Sequence, residues 1–377
     1  MEREIRILHT SDLHLDASFR ASGVRSERVR ERCQAHLDSF DRVVDLAVRE
    51  QADLLLIAGD LFEGAHARPA TARHVARRLA EWGRPALLAP GNHDPLVPRS
   101  LYRLIEWPAN VTIFESRWSA HILPELGLTV HGRGFAAPEE SGPLLEGLEI
   151  SGPGVHVVLA HGSDMSCRPE RHYPYRPFRP EELDAFPAAY VALGHYHGFT
   201  TLSTARVRAV YCGSPIPQGF HETGPHGAVL ARLGPQGTSA ELLQIEARRF
   251  VSLDVDVSGA DTHAGVVDKA RQALAEGGLE RDFVRLRLTG SLPPDLELDV
   301  AGLVDALAGS AHHLEIRGAT QPEYDLDALS SDATVRGLFV RALRARIDSS
   351  VDDEERERAR RALYYGLDAF AAHPQPR

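Results

Sequence analysis

The run Leu54-Leu55-Leu56-Ile57-Ala58-Gly59-Asp60 decides how the rest of this sequence is read. It is an apolar segment of strand length delivered straight into Gly-Asp, and the glycine lets the backbone turn tightly beside the carboxylate. The same pattern recurs four times. Residues 5–9 lead to Asp12-Leu13-His14, and residues 87–89 to Gly91-Asn92-His93-Asp94. Residues 157–160 lead to His161-Gly162, and residues 191–193 to Gly194-His195-Tyr196-His197. In α/β sheets, loops at the carboxyl ends of strands converge on one crevice, where ligands bind. Asp12/His14 and His195/His197 are spaced i, i+2, which on extended chain aims both side chains to one side. Every donor is an oxygen or an imidazole, a set that suits Mn, Fe or Zn. Seven donors are too many for one ion. Two ions about 3.5–4 Å apart sharing a bridging carboxylate would use them all, activating a water and clamping the oxygens of a phosphate ester.

The chain around this pattern is that of a globular protein. At 377 residues it has room for two or three domains, and 43% hydrophobic with 25% charged residues is an ordinary composition. No apolar run reaches the ~20 residues that span a bilayer. The N-terminus enters Ile5, Ile7 and Leu8 with no signal-peptide pattern, which predicts a cytoplasmic protein and no membrane association. Cys33, Cys167 and Cys212 are odd in number and scattered, arguing against a disulfide framework or a thiolate metal site. The net charge of −11 argues against a protein that simply coats a polyanion. The acidity is concentrated from residue 251 onward, where 23 acidic residues face 15 basic ones, so positive patches remain available earlier.

Strands are expected at 5–9, 53–58, 85–89, 111–114, 155–160, 190–193 and 207–211. Val29, Cys33, Leu37, Phe40, Val44 and Val48 follow helical spacing, and a second helix is expected at 70–82. Helices interleaved with strands indicate an α/β architecture, and the later, closely spaced strands are expected to pair antiparallel. Gly234-Pro235-Gln236-Gly237 reads as a turn followed by short polar sequence. This puts a boundary near 248, with domains at 1–248, 249–325 and 326–377. The middle one reads β-α-β-α-β, and the last is helical, broken near 349–351.

The order Asp-x-His, Gly-Asp, Gly-Asn-His-Asp, His, Gly-His-x-His resembles the calcineurin-like metallophosphoesterase signature. Residues 10–16 (Thr-Ser-Asp-Leu-His-Leu-Asp), 58–62 (Ala-Gly-Asp-Leu-Phe), 190–197 (Tyr-Val-Ala-Leu-Gly-His-Tyr-His) and 211–215 (Tyr-Cys-Gly-Ser-Pro) are similar to SbcD-like DNA repair exonucleases and their YhaO-like branch. The resemblance covers about residues 4–235. It implies two mixed sheets flanked by helices, a small α+β cap domain that positions DNA, and C-terminal helices that dock a partner. It implies one metal on Asp12, His14 and His197, another on Asn92, His161 and His195, and Asp60 between them. His93 would be the catalytic histidine and Asp94 its orienting partner. It also implies two divalent ions, Mn2+ with Fe or Zn as alternatives, and as partners DNA, an SMC/SbcC-like or YhaN-like ATPase and a second copy in a homodimer.

Residues 168–180 interleave arginines and aromatics on proline-stiffened chain. Arg168, Arg171, Tyr173, Tyr175 and Arg176 are candidates for following a phosphate backbone and stacking a base. His9, His66, His74, His121, His131, His221 and His226 lack the strand-end context and read as structural or surface residues. His221 and His226, in a glycine-rich turn, are the two with a route toward the site. The leading expectation is a manganese-dependent DNA nuclease acting at DNA ends. A small-substrate phosphodiesterase and a non-cutting scaffold are the alternatives.

Overall fold

Alternation along the first strand sets the layers. In β1 (Ile5–Thr10), Ile5 and Ile7 join one apolar cluster, and Leu8, facing the opposite way, joins another. The computed structural model describes residues 3–17, 26–64, 66–167, 173–222, 224–245 and 248–372. The chain divides into two compact units, Met1–Ala247 and Arg248–Arg377.

The first unit continues with α1 (Ser26–Arg49), β2 (Leu54–Ile57), α2 (Pro69–Trp82), β3 (Ala86–Leu88), the short α3 (Leu101–Leu104) and β4 (Val111–Ile113). Then come β5 (Ser119–Leu123), β6 (Leu128–Gly132), β7 (Val155–His161), β8 (Tyr190–Gly194), β9 (Thr200–Thr201), β10 (Arg208–Tyr211), β11 (Gly227–Gly234) and β12 (Gly237–Gln244). They form two six-stranded sheets, ordered β12-β11-β1-β2-β3-β4 and β5-β6-β7-β8-β10-β9. Both are mixed. In the first, β1 to β4 run parallel and β11 pairs antiparallel with both β1 and β12; in the second, β6, β7, β8 and β10 are parallel.

Between the sheets lie Ile7, Leu54, Leu56 and Leu87 from one, and Val157, Leu159, Tyr190 and Val210 from the other. On the far face of the first sheet, Leu8, Leu55 and Ile57 meet Phe40, Val43 and Val44 of α1 and Val75 and Leu79 of α2. On the far face of the second, Val158, Ala160, Val191 and Tyr211 are covered by Leu144, Phe178 and Leu183. Each buried aliphatic chain contributes about 1.5–3 kcal/mol, so this layering dominates the stability of the unit.

Two expectations need correction. The closely spaced strands β7, β8 and β10 pair parallel, not antiparallel. Among the described residues neither connection contains an α-helix, yet each is long enough to carry the chain back across the sheet, so proximity in sequence misleads. The segment after residue 236, read as short and polar, is a full strand: β12 pairs with β11 along eight residues. Its exposed edge position leaves little apolar pattern to read.

The second unit begins with β13 (Phe250–Asp256), α4 (His263–Glu276), β14 (Phe283–Thr289), β15 (Ser291–Leu292), α5 (Val300–Ala306), β16 (His313–Gly318) and β17 (Gln321–Pro322). A parallel sheet β13-β14-β16 buries Val255, Leu286 and Ile316 against Val266, Ala270 and Leu303 of the two helices. Helices α6 (Leu326–Ser331), α7 (Val335–Ser349) and α8 (Asp353–Ala372) follow, and α7 and α8 meet through Val340, Leu363 and Leu367. Among the described residues, no helix is long and apolar enough to cross a membrane.

Candidate metal centre

The carboxyl ends of β1, β2 and β3 from one sheet, and of β7 and β8 from the other, bring the strand-end residues together. Three groups of potential ligand atoms, each within 4.8 Å of one another, interlock: Asp12, His14 and His197; His14, Asp60 and His93; and Asp12, Asp60 and His161. Asn92 joins through its Oδ1, 3.0 Å from Nε2 of His161. The His195 ring lies 5.2 Å from that of His161, and its backbone N donates to both oxygens of Asp12 at 3.1–3.2 Å.

The local backbone is unusual. Asp12, His14 and Asp60 adopt left-handed conformations (φ 53°, 44° and 50°), and His195 has φ 116°. Such residues cost of order 1–3 kcal/mol each and persist only when their surroundings enforce them. Asp12 and His14 are therefore not on extended chain, as their spacing suggested. A left-handed loop, pinned by Asp12 N to Gly59 O and His14 N to Asp60 O, turns both inward. Gly59 has φ 90° and a Cβ there would run into the His161 ring; at Gly91 a Cβ would run into the Asp60 carboxylate.

The imidazoles are oriented by what holds their outer nitrogens. Nδ1 of His14 lies 2.8 Å from Glu63, Nδ1 of His161 2.9 Å from the Ala58 carbonyl, and Nδ1 of His197 2.6 Å from Glu222. Nε2 then faces the carboxylates: 3.8 Å from Asp60 for His14, 3.4 Å from Asp60 for His161, and 3.8 Å from Asp12 for His197. Nε2 of His14 is buried with no hydrogen-bond partner among the described residues. An inward imidazole nitrogen without a partner, beside buried carboxylates and braced from behind by an acid, fits a cation between them. Asp12, Asp60, Glu63 and Glu222 together carry four negative charges, which two divalent ions would neutralise.

The protonation pattern agrees. Burial opposes ionisation of Asp60, but His161 and His14 hold it well below the usual carboxylate range. Burial likewise opposes a charge on His161, yet Asp60 and Asp12 raise it to about 9. His195 is pushed down to about 3 by burial, aided by His161, which keeps its ring neutral. Bound cations would take over the neutralising role of the protons, because ligand nitrogens must be deprotonated.

His93 differs from its neighbours in being exposed, and its Nδ1 lies 3.0 Å from Glu63. That hydrogen bond raises it to about 9, against burial and with the help of Asp60. Asp94 does not orient His93, contrary to expectation. Its carboxylate accepts from the backbone N of Phe62 (3.0 Å) and Gly91 (2.7 Å) and from Tyr102 Oη (2.6 Å), clamping two loops together. Glu63 takes the orienting place, and the sequence carried a signal for it, three residues beyond Asp60 in the same loop. Glu222, far from any strand end, carried none.

The arginine-aromatic segment divides. Arg168 and Arg171 lie outside the described residues. Tyr173 is exposed, its ring 4.8 Å from that of Tyr175, which in turn lies 5.2 Å from that of His195. Arg176 is not a surface contact: it is 1% exposed, pairs with Glu140, donates to the Gly134 carbonyl and stacks 4.2 Å over Phe135. Its charge is already neutralised inside the fold.

Among known proteins, the chain is 28% identical over 367 residues to the uncharacterized metallophosphoesterase YhaO of Bacillus subtilis, covering 94% of this chain and 84% of that one. It is 28% identical over 261 residues to the SbcD component of the nuclease SbcCD of Escherichia coli, covering 58% of this chain and 62% of that one. It is 27% identical over 400 residues to the DNA double-strand break repair protein Mre11 of Haloferax volcanii, covering 97% and 84%. The model of the calcineurin-like phosphoesterase family matches residues 5–199, the stretch that supplies the strand ends described above. The chain belongs to that family, metal-dependent hydrolases of phosphate esters.

Proposed function

We propose that this protein is a two-metal phosphodiesterase that hydrolyses DNA phosphodiester bonds at or near DNA ends. The observation that carries the reading is the set of interlocking ligand groups sharing Asp12, His14 and Asp60, with exposed His93 at their edge. Asp12, His14 and His197 would hold one ion and Asn92, His161 and His195 the other, with Asp60 shared between them. An oxygen and imidazole set without thiolates suits manganese, with iron or zinc as alternatives. When bound, the ions neutralise the phosphate oxygens and acidify the attacking water.

The chain's own residues do the rest. Glu63 holds Nδ1 of His93, so Nε2 is the atom presented to substrate. From there it donates its proton to the leaving oxygen and stabilises charge on the phosphate. Tyr173 and Tyr175, stepping toward His195, offer a stacking path for a strand approaching the ions. The names of the SbcCD and Mre11 relatives support DNA as the substrate and repair as the setting. A relative that is one component of SbcCD supports an SbcC-like or YhaN-like ATPase partner for this chain. In this reading 326–377 is its dock, 249–325 a substrate-positioning cap, and a homodimer the working form. Three free cysteines support a reducing, cytoplasmic setting.

The test is end-labelled linear duplex DNA incubated with the purified protein and manganese, with Asp60→Ala and His93→Ala as controls. Shortening that disappears in both variants is expected. Turnover of a small chromogenic phosphodiester with intact DNA would move the assignment to small substrates, and DNA binding without any hydrolysis would make the chain a scaffold.

A further inference from the structure

A cavity of about 210 Å³ opens beside His197, lined by His197, Phe199, His221, Glu222, Pro225 and His226. Its chemistry is not that of a phosphate site. Among the described residues that line it there is no arginine or lysine, and its formal charge is the Glu222 carboxylate. Both Glu222 oxygens are engaged: Oε1 with Nδ1 of His197 at 2.6 Å, and Oε2 with the backbone N of Gln218 at 2.8 Å.

What the walls offer instead is flat apolar contact and imidazole edges. Phe199 is half-buried and packs on the cluster between the two sheets, which fixes its ring before anything binds. Pro225 supplies a second apolar wall. Nδ1 of His226 is held by Ser214, 3.0 Å from its carbonyl oxygen and 3.1 Å from its Oγ, leaving Nε2 for an occupant. His221 is 78% exposed, with Nε2 3.4 Å from Glu222.

We propose that this cavity is the subsite for the nucleobase of the nucleotide that carries the scissile phosphate. A planar, uncharged ring with polar edges stacks on Phe199 and meets His221 and His226 at its rim, while its phosphate falls at the His197 end of the metal centre. The inference rests on the phosphodiesterase reading above and adds the part of the substrate that this side of the site takes. Base–aromatic stacking tolerates any base, so the subsite anchors a nucleotide without selecting sequence.

The test is calorimetric binding of thymidine 5′-monophosphate, deoxyribose 5-phosphate and inorganic phosphate to the manganese-loaded full chain. The wild type is expected to bind the nucleotide about tenfold more tightly than the sugar phosphate, the worth of one base–aromatic stack. Phe199→Leu, which keeps bulk against the core but has no ring, brings that ratio close to one, and Phe199→Tyr preserves it. His221→Ala, on an exposed side chain where folding is not at stake, lowers the ratio about threefold. Equal binding of nucleotide and sugar phosphate by the wild type, or a ratio that survives Phe199→Leu, overturns the proposal and leaves the phosphodiesterase reading standing. Failure of the wild type to bind even inorganic phosphate overturns both.

Discussion

Oε1 of Glu63 lies 3.0 Å from Nδ1 of His93, so the exposed histidine of the site is oriented from the Gly59-Asp60 loop and not by its own neighbour Asp94. The other Glu63 oxygen holds Nδ1 of His14 at 2.8 Å, and one side chain thereby braces His14 and His93 together. Burial would raise this carboxyl, but hydrogen bonds from the two histidines bring it down to about 2. Glu63→Gln keeps the shape and removes the charge. Its kcat on a chromogenic phosphodiester is expected to fall about 10- to 100-fold, the usual cost of losing such a partner. Asp94→Asn, in contrast, is expected to act mainly on stability, and thermal denaturation beside the kinetics separates the two.

Gly91 packs against the Asp60 carboxylate so closely that a methyl group has no place. Gly91→Ala is expected to displace the Asp60 carboxylate and reduce bound metal at least twofold, with the helical circular dichroism signal retained. Metal content measured after dialysis against manganese checks this.

Arg176 is buried and paired with Glu140. Removing one partner of a buried pair leaves the other uncompensated, so Arg176→Met is expected to cost about 3 kcal/mol of unfolding free energy. The salt dependence of DNA binding is expected to stay the same, because this arginine has no phosphate to neutralise. Urea denaturation and a salt titration of binding give the two readings.

Acid sensitivity follows from two buried histidines that are not among the proposed ligands. Burial pushes His9 down to about 3 and His36 to about 4. Both folded values lie below the ordinary histidine value near 6.5, so the unfolded chain binds protons first as pH falls. Their contribution is complete above about pH 6.5 and is lost at roughly 1.4 kcal/mol per pH unit per group as pH drops toward 4 and 3. The urea midpoint of the metal-free protein is expected to fall between pH 7 and 5, and less steeply in His9→Gln.

Chelation leaves Asp12 and Asp60 facing each other with only imidazole protons to offset them. Removing metal with EDTA is expected to lower the melting temperature by several degrees, in line with the loss of a ligand that binds only the folded state. Recovery on adding manganese, and failure to recover in Asp60→Ala, would tie the shift to this site.

The strands that carry the site were legible in the bare sequence, because an apolar run ending in Gly-Asp or Gly-His records both burial and chemistry in a few adjacent letters. So were the side chains with potential ligand atoms that meet there, since a metal accepts only a few residue types. What holds those side chains emerged from tertiary structure. Glu222 reaches His197 across 25 residues, and the Ala58 carbonyl reaches His161 across 103, distances over which no local pattern exists. The same holds for Arg176. Its neighbours Tyr173 and Tyr175 suggested a surface, but a charge can be buried wherever a distant carboxylate such as Glu140 meets it, and only the folded chain brings that partner near. The parallel pairing of β7, β8 and β10 belongs with these, because strand direction depends on the path of the connecting chain, not on the strands' own residues.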